Sequence, residues 1–167
     1  SWSILLIGIW LTIKKKKQPV FLVPDYYCNY SLNLLKILGS KIIFYNIQEN
    51  FLPDLKSIKL LEDPDICIAT HYFGKEHDFN KISDYCRNKK ILFLEDATHC
   101  LKRTGNIGNY GEFTMFSHHK FFSSINGASL CFNDKKLANE DLNFFSDKAN
   151  CLSLLEKFIK DNNIYTY

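Results

Sequence analysis

The stretch from residue 91 to residue 128 constrains the fold of this chain more than any other. It contains two short apolar runs, 91–94 and 113–116. Runs this short indicate buried strands, because a helix usually needs about ten residues or more. The carboxylates Glu95 and Asp96 follow the first run, and Ser117-His118-His119-Lys120 follows the second. We therefore expect both strands to end in polar, chemically useful side chains.

Strand-like and helix-like patterns alternate from residue 19 to residue 132. This alternation is typical of βαβ units. It predicts the α/β class, with a three-layer α/β/α arrangement around a mostly parallel sheet. The predicted strands cover 20–23, 41–47, 66–70, 91–94, 113–116 and 128–132, and helical patterns cover 32–38, 52–61 and 78–88.

Composition limits the class of protein. The chain has 167 residues, of which 46% are hydrophobic and 15% aromatic, so it is long and apolar enough for one globular core. A formal net charge of only +3 gives no support for nucleic-acid binding. None of the six cysteines forms a C-x-x-C pair. We expect reduced, mostly buried thiols in a reducing compartment, the cytoplasm.

The first apolar segment, residues 4–13, is followed by four lysines at 14–17. This order is similar to a membrane stop-transfer signal, but the run is shorter than the roughly 20 residues that a span needs. A secretory signal has its positive charge before the apolar run. We therefore expect a buried helix with a basic end and no membrane role.

An acid and an amine are expected at the carboxyl ends of neighbouring strands, where open parallel sheets bind their ligands. Pyridoxal phosphate needs a lysine that bonds covalently to its aldehyde and an acidic partner for its ring nitrogen. Asp96 and Lys120 are the candidates for these two roles.

Several motifs in this stretch resemble the DegT/DnrJ/EryC1/StrS sugar aminotransferases. They are Glu95-Asp96-Ala97-Thr98-His99, the evenly spaced Gly105, Gly108 and Gly111, then Ser117 and Lys120. The resemblance implies the aspartate aminotransferase fold and a pyridoxal phosphate cofactor. It also implies a homodimer that transfers an amino group from glutamate to a keto group on a nucleotide-linked sugar.

The resemblance also implies roles for single residues. Lys120 would bond to the cofactor, Asp96 would face its ring nitrogen, His99 would lie near the ring oxygen or the amino donor, and Ser117 would bind the phosphate. Many members have a longer spacing between the serine and the lysine. The spacing of three here is similar to a Ser-Pro-Arg/His-Lys variant, with His118 in place of proline.

Two segments nearer the start of the chain extend the resemblance. Residues 20–28 are similar to the family's Val-x-x-Pro-x-Tyr-Thr-Cys segment, whose aromatic residue stacks on the cofactor ring. Tyr27 and Tyr30 are both candidates, and packing of either in the core is an equal alternative. Ser1-Trp2-Ser3 resembles the end of a phosphate-binding turn, so Ser1 and Ser3 are phosphate candidates, with a plain helix cap as the alternative.

His71 begins a His-Tyr-Phe-Gly turn that is similar to a His-x-x-Gly turn of the family, beside the site and at the subunit contact. It contacts cofactor or substrate, or else it is a hydrogen-bonded structural histidine.

Three other functions match parts of the sequence. Ser117-x-x-Lys120 matches the nucleophile motif of β-lactamases, but the Ser-Asp-Asn and Lys-Thr-Gly motifs do not follow it. The histidines and cysteines lack the spacing of a structural zinc site, and His118 and His119 would point apart on a strand. We therefore expect no metal site.

The third rival is a protein that does not catalyse a reaction. Family members are longer and have a C-terminal small domain, so we expect residues 1–167 to form a single, partial cofactor-binding large domain without that small domain. A truncated or degenerate copy of this kind would act as a binding or structural module.

Overall fold

A computed structural model describes residues 2–123, 127–135, 137, 144–145 and 148–162 of the chain. Short 3₁₀ turns follow two of the strands, at Tyr72–Gly74 and His118–Lys120. The helices and strands, in chain order, are α1 (Trp2–Lys15), β1 (Val20–Pro24), α2 (Asn29–Ile37), β2 (Lys41–Tyr45), α3 (Leu55–Ile58), β3 (Ile66–Thr70), α4 (Asn80–Lys89), β4 (Leu92–Asp96), β5 (Phe113–Phe116), β6 (Ser129–Phe132) and α5 (Lys148–Asp161).

The six strands form one sheet in the order β2-β1-β3-β4-β5-β6. All neighbouring pairs are parallel except β5 and β6, which are antiparallel. The α/β class with a mostly parallel sheet is thus confirmed. Because the first five strands run in one direction, their carboxyl ends meet at one edge. There Asp96 is in register with Thr70 of β3 and Met115 of β5.

Apolar residues cover both faces of the sheet and produce the predicted three layers. Alternate residues of a strand point to opposite faces. In β3, Ile66 and Ile68 pack on one face with α1 and α2, whereas Cys67 and Ala69 pack on the other face with α3 and α4. All five residues of β3 are buried, as expected for a central strand covered on both sides.

Helix α1 is the predicted buried helix with a basic end. Ile4, Ile7 and Leu11 have no exposed surface, and two lysines occupy the last turn. Burial of one such side chain stabilises the fold by about 1.5–3 kcal/mol. Within the described part of the chain, every helix falls short of the length and apolar character that crossing a bilayer requires.

Element boundaries differ from the predictions mainly between β2 and α3. The predicted strand 41–47 ends at Tyr45, and only an isolated bridge joins Ile47 to Pro53. The chain turns back between them, with Phe51 at a φ of 65°. The helical pattern at 52–61 yields only α3, which begins after Asp54, whose carboxylate accepts a hydrogen bond from the Lys56 N–H.

Candidate functional site

A cleft of about 480 Å³ opens at the carboxyl edge of the sheet, at the tips of β3, β4 and β5. Its volume lies in the range of small-molecule sites, about 300–1,000 Å³. Six of the seven cofactor residues predicted from the sequence line this cleft. They are Tyr27, Tyr30, Asp96, His99, Ser117 and Lys120. The seventh, Ser3, lies half-buried in the first turn of α1 and is not among the lining residues, although its neighbour Ile4 is. Ser1 lies outside the described residues.

Asp96 reaches the cleft because of strand alternation. It follows Leu94 by two positions in β4, so it points to the α1 and α2 side of the sheet. The residue is only 4% exposed. Its Oδ2 accepts a hydrogen bond from the Tyr27 hydroxyl at 2.7 Å, and its Oδ1 accepts one from the Thr98 N–H at 2.9 Å. Asp96 therefore caps the turn that follows β4 and also presents a buried carboxylate to the cleft.

Lys120 reaches the same cleft from the short turn after β5. Its Nζ donates a long hydrogen bond of 3.4 Å to Thr98 Oγ1, two residues beyond Asp96. Because β4 and β5 are adjacent and parallel, their tips bring the acid and the amine to one cavity.

The turn that carries Lys120 corrects one expectation. His118 and His119 were expected to extend a strand, but β5 ends at Phe116 and His118–Lys120 form a 3₁₀ turn. The backbone reverses there because the Lys120 N–H donates to the Ser117 carbonyl. His118 pairs with Ser129 at 2.8 Å, and His119 Nδ1 lies 3.2 Å from the Gly127 carbonyl.

His99 lines the cleft with a defined ring orientation. Its Nδ1 accepts a hydrogen bond from the Phe73 N–H at 3.3 Å, so in the neutral ring Nε2 carries the proton. Partial burial lowers the pKa of His99, and the nearby Lys120 charge lowers it further, while Asp96 opposes the shift. His99 is therefore a neutral imidazole at pH 7 with an N–H to donate.

Ser117 lies at the tip of β5 and is 7% exposed. Its Oγ is 3.1 Å from His119 Nδ1. The Ser117 hydroxyl thus faces the cleft from a fixed position, beside the turn that carries Lys120.

The structure separates the two tyrosine candidates. Tyr27 packs against the core, and burial, followed by the charge of Asp96, raises the pKa of its phenol well above the usual value. Tyr30 is in the first turn of α2 and is 77% exposed at the mouth of the cleft. Tyr27 alone of the two donates a hydrogen bond to Asp96 among the contacts of the described residues.

Glu95 has a structural role that the sequence did not reveal. It points to the opposite face from Asp96 and has no exposed surface. Its carboxylate accepts hydrogen bonds from the N–H groups of Gly108, Tyr110 and Gly111, at 2.8–2.9 Å. These bonds fix the glycine loop that connects β4 to β5. Two of the three evenly spaced glycines, Gly108 and Gly111, are among the donors, but their spacing alone did not identify Glu95 as the acceptor.

His71 is the structural histidine of the two alternatives. It is fully buried, and its Nδ1 accepts a hydrogen bond from the His77 N–H at 3.1 Å. Its Nε2 lies 3.2 Å from Glu95 Oε2 and so donates to it. The ring thus supports the glycine loop indirectly, through its hydrogen bond to Glu95.

Ligands for a metal ion do not converge in the part of the chain that the structure describes, where no three His, Cys, Asp or Glu side chains form a group. The cysteines described there, 28, 67, 86, 100 and 131, are free thiols.

Known structures share this fold. The aminotransferase PseC of Helicobacter pylori, involved in pseudoaminic acid biosynthesis, superimposes with a TM-score of 0.66 and 18% identity over 83% of this chain and 40% of that one. NtdA of Bacillus subtilis, solved with its cofactor PMP, gives a TM-score of 0.65 and 21% identity over 82% of this chain and 32% of that one. A mutant of GDP-4-keto-6-deoxymannose-3-dehydratase with bound GDP-perosamine gives a TM-score of 0.65 and 23% identity over 84% of this chain and 39% of that one. The chain therefore spans well under half the length of these structures.

A family model also matches most of this chain. The DegT/DnrJ/EryC1/StrS aminotransferase family matches residues 11–148, which is well over half of the chain and includes Asp96 and Lys120. The suspected resemblance is confirmed: the chain belongs to the DegT/DnrJ/EryC1/StrS aminotransferase family.

Proposed function

We propose that this chain forms the cofactor-binding large domain of a pyridoxal phosphate-dependent aminotransferase. When bound, pyridoxal phosphate supplies an aldehyde for the amine and a protonated ring that accepts electrons from the substrate carbon. Lys120 would provide the amine and later move a proton at that carbon. Asp96 would face the ring nitrogen, His99 would donate its Nε2–H toward the ring oxygen, and Ser117 would contribute to the phosphate site.

One observation supports this proposal above the others. A carboxylate that is 4% exposed and a lysine amine line the same cleft at adjacent parallel strand tips. A buried carboxylate is unfavourable unless donors satisfy it. Asp96 has two donors and still borders the cavity, so it is ready to accept a further N–H from a ring.

The proposed substrates are glutamate as amino donor and a keto sugar linked to a nucleotide as acceptor. The family supports a sugar aminotransferase. Among structures with the same fold, one holds GDP-perosamine and another, DesI, was solved in the presence of its TDP-sugar product. These molecules support a nucleotide-linked sugar as the class of acceptor for this chain.

The whole protein would work as a homodimer in the cytoplasm. Large aromatic side chains are exposed at the mouth of the cleft, Tyr26 at 58% and Phe73 at 61%. A second copy that covers them would complete the site, and sedimentation equilibrium of the protein would measure that association.

A titration of the purified protein with pyridoxal phosphate tests the proposed function. We expect the wild type to develop the visible absorbance of a lysine-bound cofactor, and Lys120→Ala to lose it because the amine is gone. Lys102→Ala is the control, because Lys102 is exposed and does not line the cleft. Equal absorbance in wild type and Lys120→Ala would contradict the proposal.

A non-catalytic binding module is the second candidate function. Addition of glutamate to the loaded protein separates the two. An aminotransferase loses the lysine-bound absorbance as the amino group is transferred, whereas a binding module keeps it.

A further inference from the structure

We propose that Tyr27 is a positioning residue, whose hydroxyl holds the Asp96 carboxylate in the orientation that receives the cofactor ring nitrogen. This inference rests on the proposed function and deepens it. It also replaces ring stacking, the role expected for an aromatic residue in this segment, with a role of the phenol oxygen.

Two hydrogen bonds orient the Asp96 carboxylate. Tyr27 donates to Oδ2 at 2.7 Å and the Thr98 N–H donates to Oδ1 at 2.9 Å. Two donors on different oxygens fix both the direction and the plane of a carboxylate. Asp96 is only 4% exposed, so protein donors rather than bulk solvent satisfy most of its carboxylate, and Tyr27 holds one of the two oxygens. The carboxylate orientation therefore depends on Tyr27.

Tyr27 is itself held in place. The Tyr72 hydroxyl donates to the carbonyl of the preceding residue, Tyr26, at 2.6 Å. The N–H of Asp25 donates to the Tyr45 carbonyl at 2.8 Å. The Tyr27 ring packs against the core cluster that includes α1 and α2. The phenol thus reaches Asp96 from a fixed backbone, as a positioning role requires.

The phenol also stays protonated. Burial and the neighbouring Asp96 charge both raise the pKa of Tyr27. At physiological pH the hydroxyl therefore always donates, and the Asp96 oxygen always has its partner.

The dissociation constant for pyridoxal phosphate separates positioning from stacking. Tyr27→Phe keeps the ring and removes only the hydroxyl. We expect it to weaken cofactor binding roughly tenfold or more, because hydrogen bonds to charged groups are among the stronger ones. Tyr27→Leu should lose little beyond that. Tyr85→Phe is the matched control, since Tyr85 is on α4 across the sheet and should bind as wild type does.

The same substitution in an Asp96→Ala background tests whether Tyr27 acts through Asp96. With the carboxylate gone, Tyr27→Phe should cause no further loss of cofactor affinity. Wild-type affinity in Tyr27→Phe, or an equal loss in both backgrounds, would overturn the inference.

A cofactor-free measurement keeps the inference apart from the proposed function. Urea unfolding of Tyr27→Phe, Asp96→Ala and the double variant should show that the two changes in unfolding free energy are not additive. Additive changes would refute the hydrogen bond between the two residues. Failure of the wild type to bind pyridoxal phosphate, with the coupling intact, would refute only the proposed function.

Discussion

Two adjacent carboxylates in β4 have different surroundings because they lie on opposite faces of the sheet. Glu95 and Asp96 point to opposite faces because strand side chains alternate. Glu95 receives three backbone N–H groups and His71, whereas Asp96 receives Tyr27 and Thr98 beside an open cleft. Both are buried and satisfied, but only Asp96 borders a cavity. A step of one residue along β4 therefore separates a carboxylate that anchors a loop from one that lines the cleft.

Replacement of Glu95 tests its role as an anchor. Glu95→Gln should lower the free energy of unfolding by roughly 3 kcal/mol, because an amide NH₂ would face backbone donors that a buried carboxylate now satisfies. Urea unfolding measures the change. The control is Glu62→Gln, whose exposed pair with Lys41 contributes little. A loss no larger than that of the control would contradict the anchoring role.

At the scale of elements, Asp65 connects α1 to the sheet at the edge opposite the cleft, where the parallel strands begin. Its Oδ2 accepts a hydrogen bond from the Val20 N–H at 2.8 Å, and its Oδ1 accepts one from Lys15 Nζ at 2.5 Å. The end of α1 and the starts of β1 and β3 therefore meet at one carboxylate that is 7% exposed. Burial of Asp65 by itself raises its pKa, but Lys15, Val20 and Lys17 together lower the pKa below its usual value.

This lowered pKa predicts a pH dependence. A carboxyl group with a lower pKa in the folded state stabilises the fold above its unfolded pKa, about 3.9, and loses that contribution as the pH falls through the folded value. Asp65→Asn should therefore cost roughly 2 kcal/mol at pH 7 and less below about pH 4. Urea unfolding at pH 7 and below about pH 4 measures the difference in free energy of unfolding between wild type and variant. The control is Asp63→Asn, because Asp63 is exposed. A gap between wild type and variant that stays constant with pH would contradict the account.

Strands were the elements that the sequence predicted best. The run Ile66–Thr70 is a strand with the predicted bounds, because a continuous apolar run of this length is typical of a strand covered on both faces. The segment after β2 was less predictable, since Phe51 adopts a left-handed φ that nothing in its residue type requires. His118 and His119 were wrongly assigned to a strand because their turn depends on contacts with Ser129 and Gly127.

At the scale of the whole molecule, the cleft combines residues that are far apart in the chain. Asp96 and Lys120 were predictable because one ends β4 and the other comes shortly after β5, within one recognisable stretch. The pairing of Tyr27 with Asp96 was not, because it joins residues 69 positions apart and depends on which way a loop side chain points. For the same reason, Glu95 was identified as a carboxylate at a strand end, but its loop contacts were not foreseen.

The most direct test is reduction of the pyridoxal phosphate-loaded protein with borohydride, followed by mapping of the modified peptide. The reduction makes the bond between cofactor and lysine permanent, so the modified residue identifies the lysine that bonds to the cofactor. We predict a single modified site at Lys120. A modification at any other lysine, with Lys120 unmodified, would contradict the assignment of this cleft as the cofactor site.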